Sequence, residues 1–209
     1  VYNNRLRESL PEITNPGIAG GQFSSMASTL RNPTHSIIQV QKMTTSDNTA
    51  LIMQEINLTF GFTPNLFAAY KKHPALLEAN WCKVKAVLLS GKVKRKTKEM
   101  IALLVSVDNN CSYCVAAHIA ALKNMKVEKA QIDALLIGLF PAGCTPIDIA
   151  LIKFSRKVNQ YWRDMQESDL TTLRQLGISD AEILEVIGVV ELFAGFNRFA
   201  RTMQVQADF

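Results

Sequence analysis

The chain has 209 residues, 48% of them hydrophobic, and carries 23 Lys+Arg against 18 Asp+Glu for a formal charge of +5. That length holds one domain, or two small halves, with ample material for a core, so the fold needs no covalent staples. Four unevenly spaced cysteines, Cys82, Cys111, Cys114 and Cys144, exclude a disulfide framework and point to redox or metal chemistry in a reducing, cytoplasmic setting.

Glu185 and Glu191 interrupt the apolar run from Ile183 to Phe196, and Ala134 to Cys144 is too short to cross a bilayer, so no membrane partner is expected. Nothing at the start reads as a signal peptide, although a chain opening on Val1 leaves room for a leader. Lys92, Lys94, Arg95, Lys96 and Lys98 form one dense basic cluster. With no aromatic interleaving and no binding motif, it reads as a solvated helix entrance rather than a nucleic-acid surface. Its place at a helix start opposes the helix dipole, a small cost without an evident return.

Residues 1–46 lack sustained periodicity and carry Pro11, Pro16, Gly17, Gly20, Gly21 and Pro33, the composition of an irregular arm in which only Gln22 to Leu30 suggests a short helix. From Asp47 onward, helical periods separated by brief turns predict an all-α domain over 47–209. Helices are expected from about Thr49 to Phe60, from Pro64 to Lys72, and from Pro74 to about Ser90 with Gly91 as its stop. Thr97 is a candidate cap for the next, which carries Glu99 and ends at Asp108-Asn109-Asn110. Further helices follow from Cys111 to about Asn124, Val127 to Ile137, Pro146 to about Trp162 and Ser168 to Leu176. Ser179-Asp180-Ala181-Glu182 is a capping-box start for the last long helix.

Setting Glu182 against Glu99 aligns Leu184 with Ile101, Ile187 with Leu104 and Val190 with Val107, and places Ala194, Asn197 and Arg201 opposite Cys111, Cys114 and His118. This would be a degenerate internal repeat in which one copy kept its thiols, although apolar periodicity alone produces much of such matching.

The chemistry concentrates in Cys111-Ser112-Tyr113-Cys114 and His118. Offsets of 0, 3 and 7 put both cysteines and the histidine on one helix face. Thiols at i and i+3 in a first turn lie within the separation a disulfide tolerates. Free N–H groups and the positive dipole end favour a thiolate there, and His118 is placed to take the proton. The break at residues 108–110 suits an antiparallel hairpin that returns Glu99 toward the thiols, where its carboxylate can orient or relay a proton.

Glu99, eleven intervening residues, Cys111-x-x-Cys114, three more and His118 together resemble the signature of the alkylhydroperoxidase D-like (AhpD-like) branch of the carboxymuconolactone decarboxylase superfamily. Thr63-Pro64-Asn65-Leu66-Phe67, His73-Pro74-Ala75-Leu76-Leu77 and Phe196-Asn197-Arg198-Phe199-Ala200 resemble flanking segments of its peroxidase-related members. The resemblance implies a bundle of helical hairpins, assembly into a homo-oligomer (dimer, trimer or hexamer), and no cofactor. It also implies antioxidant reduction of hydroperoxides by a cysteine pair that a dithiol or disulfide-reductase donor regenerates. By position it makes Cys114 the peroxide-attacking cysteine, Cys111 the resolving one, and His118 with Glu99 the proton relay. Helix-end electrostatics favour charge on Cys111 instead, so that order rests on the resemblance. Where the hydroperoxidase D members carry a histidine between the cysteines, this chain has Tyr113, a poor proton acceptor, which implies lower peroxidase activity or another substrate.

Three alternatives compete. Cys111, Cys114 and His118 with Cys82 or Cys144 would supply four zinc ligands, but groups along one helix face present poorly to a tetrahedral ion, and Cys82 and Cys144 sit among apolar neighbours as core cysteines do. Lactone decarboxylation by general acid–base catalysis has no use for the thiol pair. A non-catalytic, redox-switched binding protein would oxidise only once. His73 reads as a turn residue and His35 has no acidic or cysteine companion. Phe60, Phe62 and Phe67 read as core or subunit contacts, and Trp81 and Trp162 as packing residues.

Overall fold

The computed structural model describes residues 45–208. Of the arm expected over 1–46, residues 1–44, with the short helix at 22–30 and His35, lie outside the described residues. Among the described residues the regular structure is nine α-helices, a π turn and a 3₁₀ turn, with no strand.

Helix α1 (Thr45–Phe60) starts ahead of the expected Thr49 and stops at Gly61, whose φ of +80° suits a residue without Cβ. Pro64 precedes the short α2 (Asn65–Tyr70). In α3 (Pro74–Val84) Pro74 occupies the first turn, and His73, as expected a turn residue, caps it by accepting the Leu76 N–H at 3.3 Å. The helix expected to continue to Ser90 widens at Lys85–Leu89 into a π turn. The Ser90 hydroxyl meets the carbonyls of Lys85 and Ala86 there, at 2.7 and 3.0 Å, satisfying acceptors at the end of the widened turn.

The central element is α4 (Arg95–Asp108), buried without interruption from Thr97 to Ser106 and packed against α5 (Ser112–Asn124), α7 (Pro146–Gln160) and α9 (Asp180–Thr202). A helix surrounded in this way has no polar face to spare, so its polar residues are paired internally. Two expectations change as a result. Thr97 is no cap, because the helix begins two residues earlier; its hydroxyl instead donates to Asp148 at 2.7 Å. The basic cluster is also only partly solvated. Lys98 is 1% exposed and paired with Glu185, and Arg95 turns onto Glu99.

The end of α4 matches the Asp-Asn-Asn break and adds a detail. Asn110 takes φ +54°, the Asn110 N–H donates to Val107 O at 3.0 Å and the Cys111 N–H to Ser106 O at 2.9 Å, the paired bonds of a Schellman stop. Cys111 therefore closes α4 and is the N-cap of α5, rather than that helix's first residue.

Helix α6 (Lys129–Leu136) and α7 begin with capping boxes from Glu128 and Gln131 and from Thr145 and Asp148. Beyond α7 a 3₁₀ turn (Trp162–Asp164) leads to α8 (Glu167–Gln175). Trp162, expected to pack inside, is exposed and lies 4.0 Å from the Arg163 guanidinium, because α7 ends two residues before it. The expected box of Ser179 and Glu182 opens α9. That helix runs unbroken across the positions aligned with the α4–α5 turn, so the likeness of the two segments is one of apolar spacing and not of backbone path.

Candidate thiol site

The α4–α5 hairpin brings the four expected residues together. Cys111 and Cys114 are free thiols with their sulfurs 3.0 Å apart. One turn further along α5, His118 places Nδ1 2.7 Å from Glu99 Oε2 on α4. Both partners are buried, Glu99 at 1% and His118 at 6% exposure, so Glu99 is not a solvated first-turn acid. Its second oxygen accepts from Arg95 Nε at 2.8 Å and Nη2 at 2.6 Å. Burial pushes the Glu99 pKa up, but His118 and Arg95 together outweigh it and hold the carboxyl below its ordinary range. The Phe193 ring stands edge-on to His118 at 4.4 Å and fixes its plane.

The two thiols differ. The hydrogen bond from Cys114 holds the Cys111 pKa down to about 6 against the cost of burial. The Cys114 backbone N–H, the Asn197 amide and the Arg201 charge help it. That same bond, with burial and the neighbouring charge, drives the Cys114 pKa up. Charge thus settles on the helix-end sulfur, as the dipole argument favours. Access falls to the other: Cys114, and not Cys111, lines a cavity of about 160 Å³. Glu99 and His118 share that wall, and Phe60, Phe62, Phe67, Phe193 and Phe196 supply aromatic surface. Phe67 meets Phe196 edge to face at 5.9 Å and Trp81 likewise at 5.7 Å, and it stacks on Phe60 at 6.2 Å.

Tyr113, between the cysteines, is a tether. Its hydroxyl donates to Asp208 at 2.6 Å and accepts the Leu66 N–H at 3.1 Å, while Asp208 also takes the Asn65 N–H at 2.8 Å. Burial and the Asp208 carboxylate push the Tyr113 pKa well above the usual phenol range, so it serves as a hydrogen-bond donor and not as a base.

The remaining cysteines do not join the site. Cys82, expected in the core, is exposed on α3, and Cys144 lies with Lys96, Thr97 and Asp148 around a separate small cavity. Among the described residues no three His, Cys, Asp or Glu side chains are grouped to hold a metal ion, and no helix is long and apolar enough to cross a membrane. Sequence reasoning missed Arg95, Asn197, Asp208 and the ring wall. Arg95 lies four residues before Glu99, the one spacing that flags it.

Residues 74–156 match the model of the carboxymuconolactone decarboxylase family. An alkyl hydroperoxide reductase of Mycobacterium tuberculosis is 33% identical over 100 residues, which span 46% of this chain and only 28% of that protein's length. A peroxidase-related protein of Ralstonia eutropha with an alkylhydroperoxidase AhpD core superposes with a TM-score of 0.70 at 25% identity, over 83% of this chain and 94% of its own. A peroxidase-related protein of Silicibacter gives 0.68 at 24% identity, covering 77% and 84%. The likeness to the carboxymuconolactone decarboxylase family is thus confined to residues 74–156, and the fold is the all-helical AhpD-like one.

Proposed function

We propose that the protein is a thiol-dependent hydroperoxide reductase. The observation that carries this reading is a sulfur, Cys114, that meets an aromatic-walled cavity beside a buried His118–Glu99 pair, with a second thiol 3.0 Å behind it. Cys114 passes its proton to His118 as its sulfur attacks the terminal peroxide oxygen; the S–O bond forms, the O–O bond breaks, and the alkoxide takes that proton back from His118 to leave as alcohol. The Cys111 thiolate then attacks the Cys114 sulfenic sulfur. The S–S bond forms, the S–O bond breaks, and hydroxide leaves as water with a second proton through His118 and Glu99. A dithiol donor returns the two electrons.

In this reading the helical domain over residues 47–209 carries the catalysis, the arm over 1–46 is its extension, and the protein works as a homo-oligomer in the cytoplasm. Exposed Ile137, Leu139, Phe140 and Ile147 around the α6–α7 connection supply apolar surface for assembly.

The test is steady-state consumption of an organic hydroperoxide with dithiothreitol as donor. Wild type turns over repeatedly and Cys114→Ser loses at least about 100-fold. One stoichiometric oxidation without turnover would reject the enzyme in favour of a redox switch.

A further inference from the structure

Cys111 and Asn197 lie outside the cavity lining, and Asn197 belongs to a buried polar cluster that the peroxide chemistry leaves unused. The Ser106 hydroxyl gives its hydrogen to Ala102 O at 2.7 Å, so its oxygen accepts from Asn197 Nδ2 at 3.0 Å. Asn109 Nδ2 donates to Asn197 Oδ1 at 2.9 Å, and the Asn109 and Asn159 amides exchange bonds at 3.2 and 3.3 Å. Flipping the Asn197 amide alone would set its oxygen against the Ser106 oxygen and its NH2 against the Asn109 NH2, so the orientation shown satisfies both neighbours. With its oxygen and one N–H engaged, Asn197 has one N–H left, and that amide interacts favourably with both thiolates.

The same helix clamps the turn. One turn beyond Asn197, Arg201 Nη1 donates to Asn110 O at 2.6 Å, next to Cys111, whose own N–H is held by Ser106 O at 2.9 Å. The charged and titratable groups around this sulfur are few. From α5 there are Cys114 and His118, from α9 Arg201, and from α4 Glu99, engaged by His118 and Arg95, and Asp108, neutralised by Arg156 of α7 at 2.5 Å. Arg201 is therefore the cation in this set that no carboxylate engages.

We propose that Asn197 and Arg201 are positioning residues that form a seat on α9 for the Cys111 sulfur as an anion. Cys111 is an anion when it attacks oxidised Cys114. It becomes one again when a donor thiolate bonds to Cys114, the S–S bond breaks and the electron pair returns to Cys111. A donor N–H and a cation beside the departing sulfur favour both steps and make it the better leaving group. The redox role rests on the reductase reading, but the seat itself is measurable without turnover.

The experiment is the pH dependence of thiolate ultraviolet absorbance in the reduced protein with Cys82 and Cys144 replaced by serine, with far-ultraviolet circular dichroism as the folding control. The first thiolate of the wild-type pair forms with a midpoint below the ordinary thiol range. Asn197→Asp, which replaces the N–H with a carboxylate oxygen, moves it up by about 1 pH unit or more. Arg201→Gln, at an exposed position, keeps a donor for Asn110 O and moves it up by about half a unit, less at high salt, while Arg201→Lys restores the wild-type midpoint. Should Asn197→Asp not fold, the Arg201 pair decides. An unchanged midpoint in folded Asn197→Asp and in Arg201→Gln overturns the seat even if hydroperoxide is consumed. The predicted shifts without any turnover would keep the seat and reject the reductase.

Discussion

His118 Nδ1 and Glu99 Oε2 meet 2.7 Å apart inside the fold, and that bond joins the thiol-bearing helix α5 to the central helix α4. Removing the charge without changing the shape isolates its role. Glu99→Gln is expected to lower dithiol-supported hydroperoxide consumption by about 10²-fold or more, because the imidazole loses the carboxylate that orients it and shares its proton relay. A variant at full rate would remove Glu99 from the relay. The same substitution changes acid stability. Glu99 ionises in the folded protein below its ordinary 4.5, so its contribution is complete above that pH and drains away as pH falls through the folded value. Thermal melts below pH 4.5 should therefore fall less steeply with acidification for Glu99→Gln than for wild type.

Tyr113→Phe tests the tether. Without the hydroxyl, the Leu66 N–H loses its acceptor and the Asp208 carboxylate loses its phenol donor. A cost of about 1–3 kcal/mol in urea unfolding is expected, with faster amide exchange at Leu66 and over residues 205–208. Unchanged exchange there would mean that the tail is held by Asn65 alone.

Most helices and the thiol pair were legible because periodicity, capping boxes and prolines act locally. Ser179 with Glu182, Pro74, and the 108–110 break behave as their side chains dictate. What was hidden depends on distant neighbours. Lys98 reads as a surface lysine until Glu185, 87 residues along the chain, meets it, and Asn197 reads as a helix polar residue until Ser106 and Asn109 meet it. Phe67, Phe193 and Phe196 carry core chemistry in any sequence reading; only packing left a cavity between them.

That cavity gives a selectivity prediction. Ala121 lines it, and a phenyl ring added there occupies much of its 160 Å³. Ala121→Phe should lower kcat/KM for a bulky aryl hydroperoxide by about 10-fold or more while leaving hydrogen peroxide within about twofold. Equal losses for both would place the reaction elsewhere.

Gly91 carries the loop that precedes α4. Its φ is +102°, and an added Cβ would collide with the Glu185 carboxylate, which accepts the Lys92 N–H at 2.9 Å and pairs with buried Lys98. Gly91→Ala is expected to cost at least about 2 kcal/mol in urea unfolding. A loss under about 0.5 kcal/mol would show that the loop shifts freely.

In the proposed reaction Cys114 meets the peroxide and Cys111 resolves it. The most direct measurement treats wild type, Cys111→Ser and Cys114→Ser with one equivalent of organic hydroperoxide and a sulfenic-acid trap, then maps the adducts by mass spectrometry. The expected result is a 111–114 disulfide in wild type, a trapped adduct on Cys114 in Cys111→Ser, and none in Cys114→Ser. A trapped adduct on Cys111 in Cys114→Ser, with Cys114 unmodified in Cys111→Ser, would contradict it.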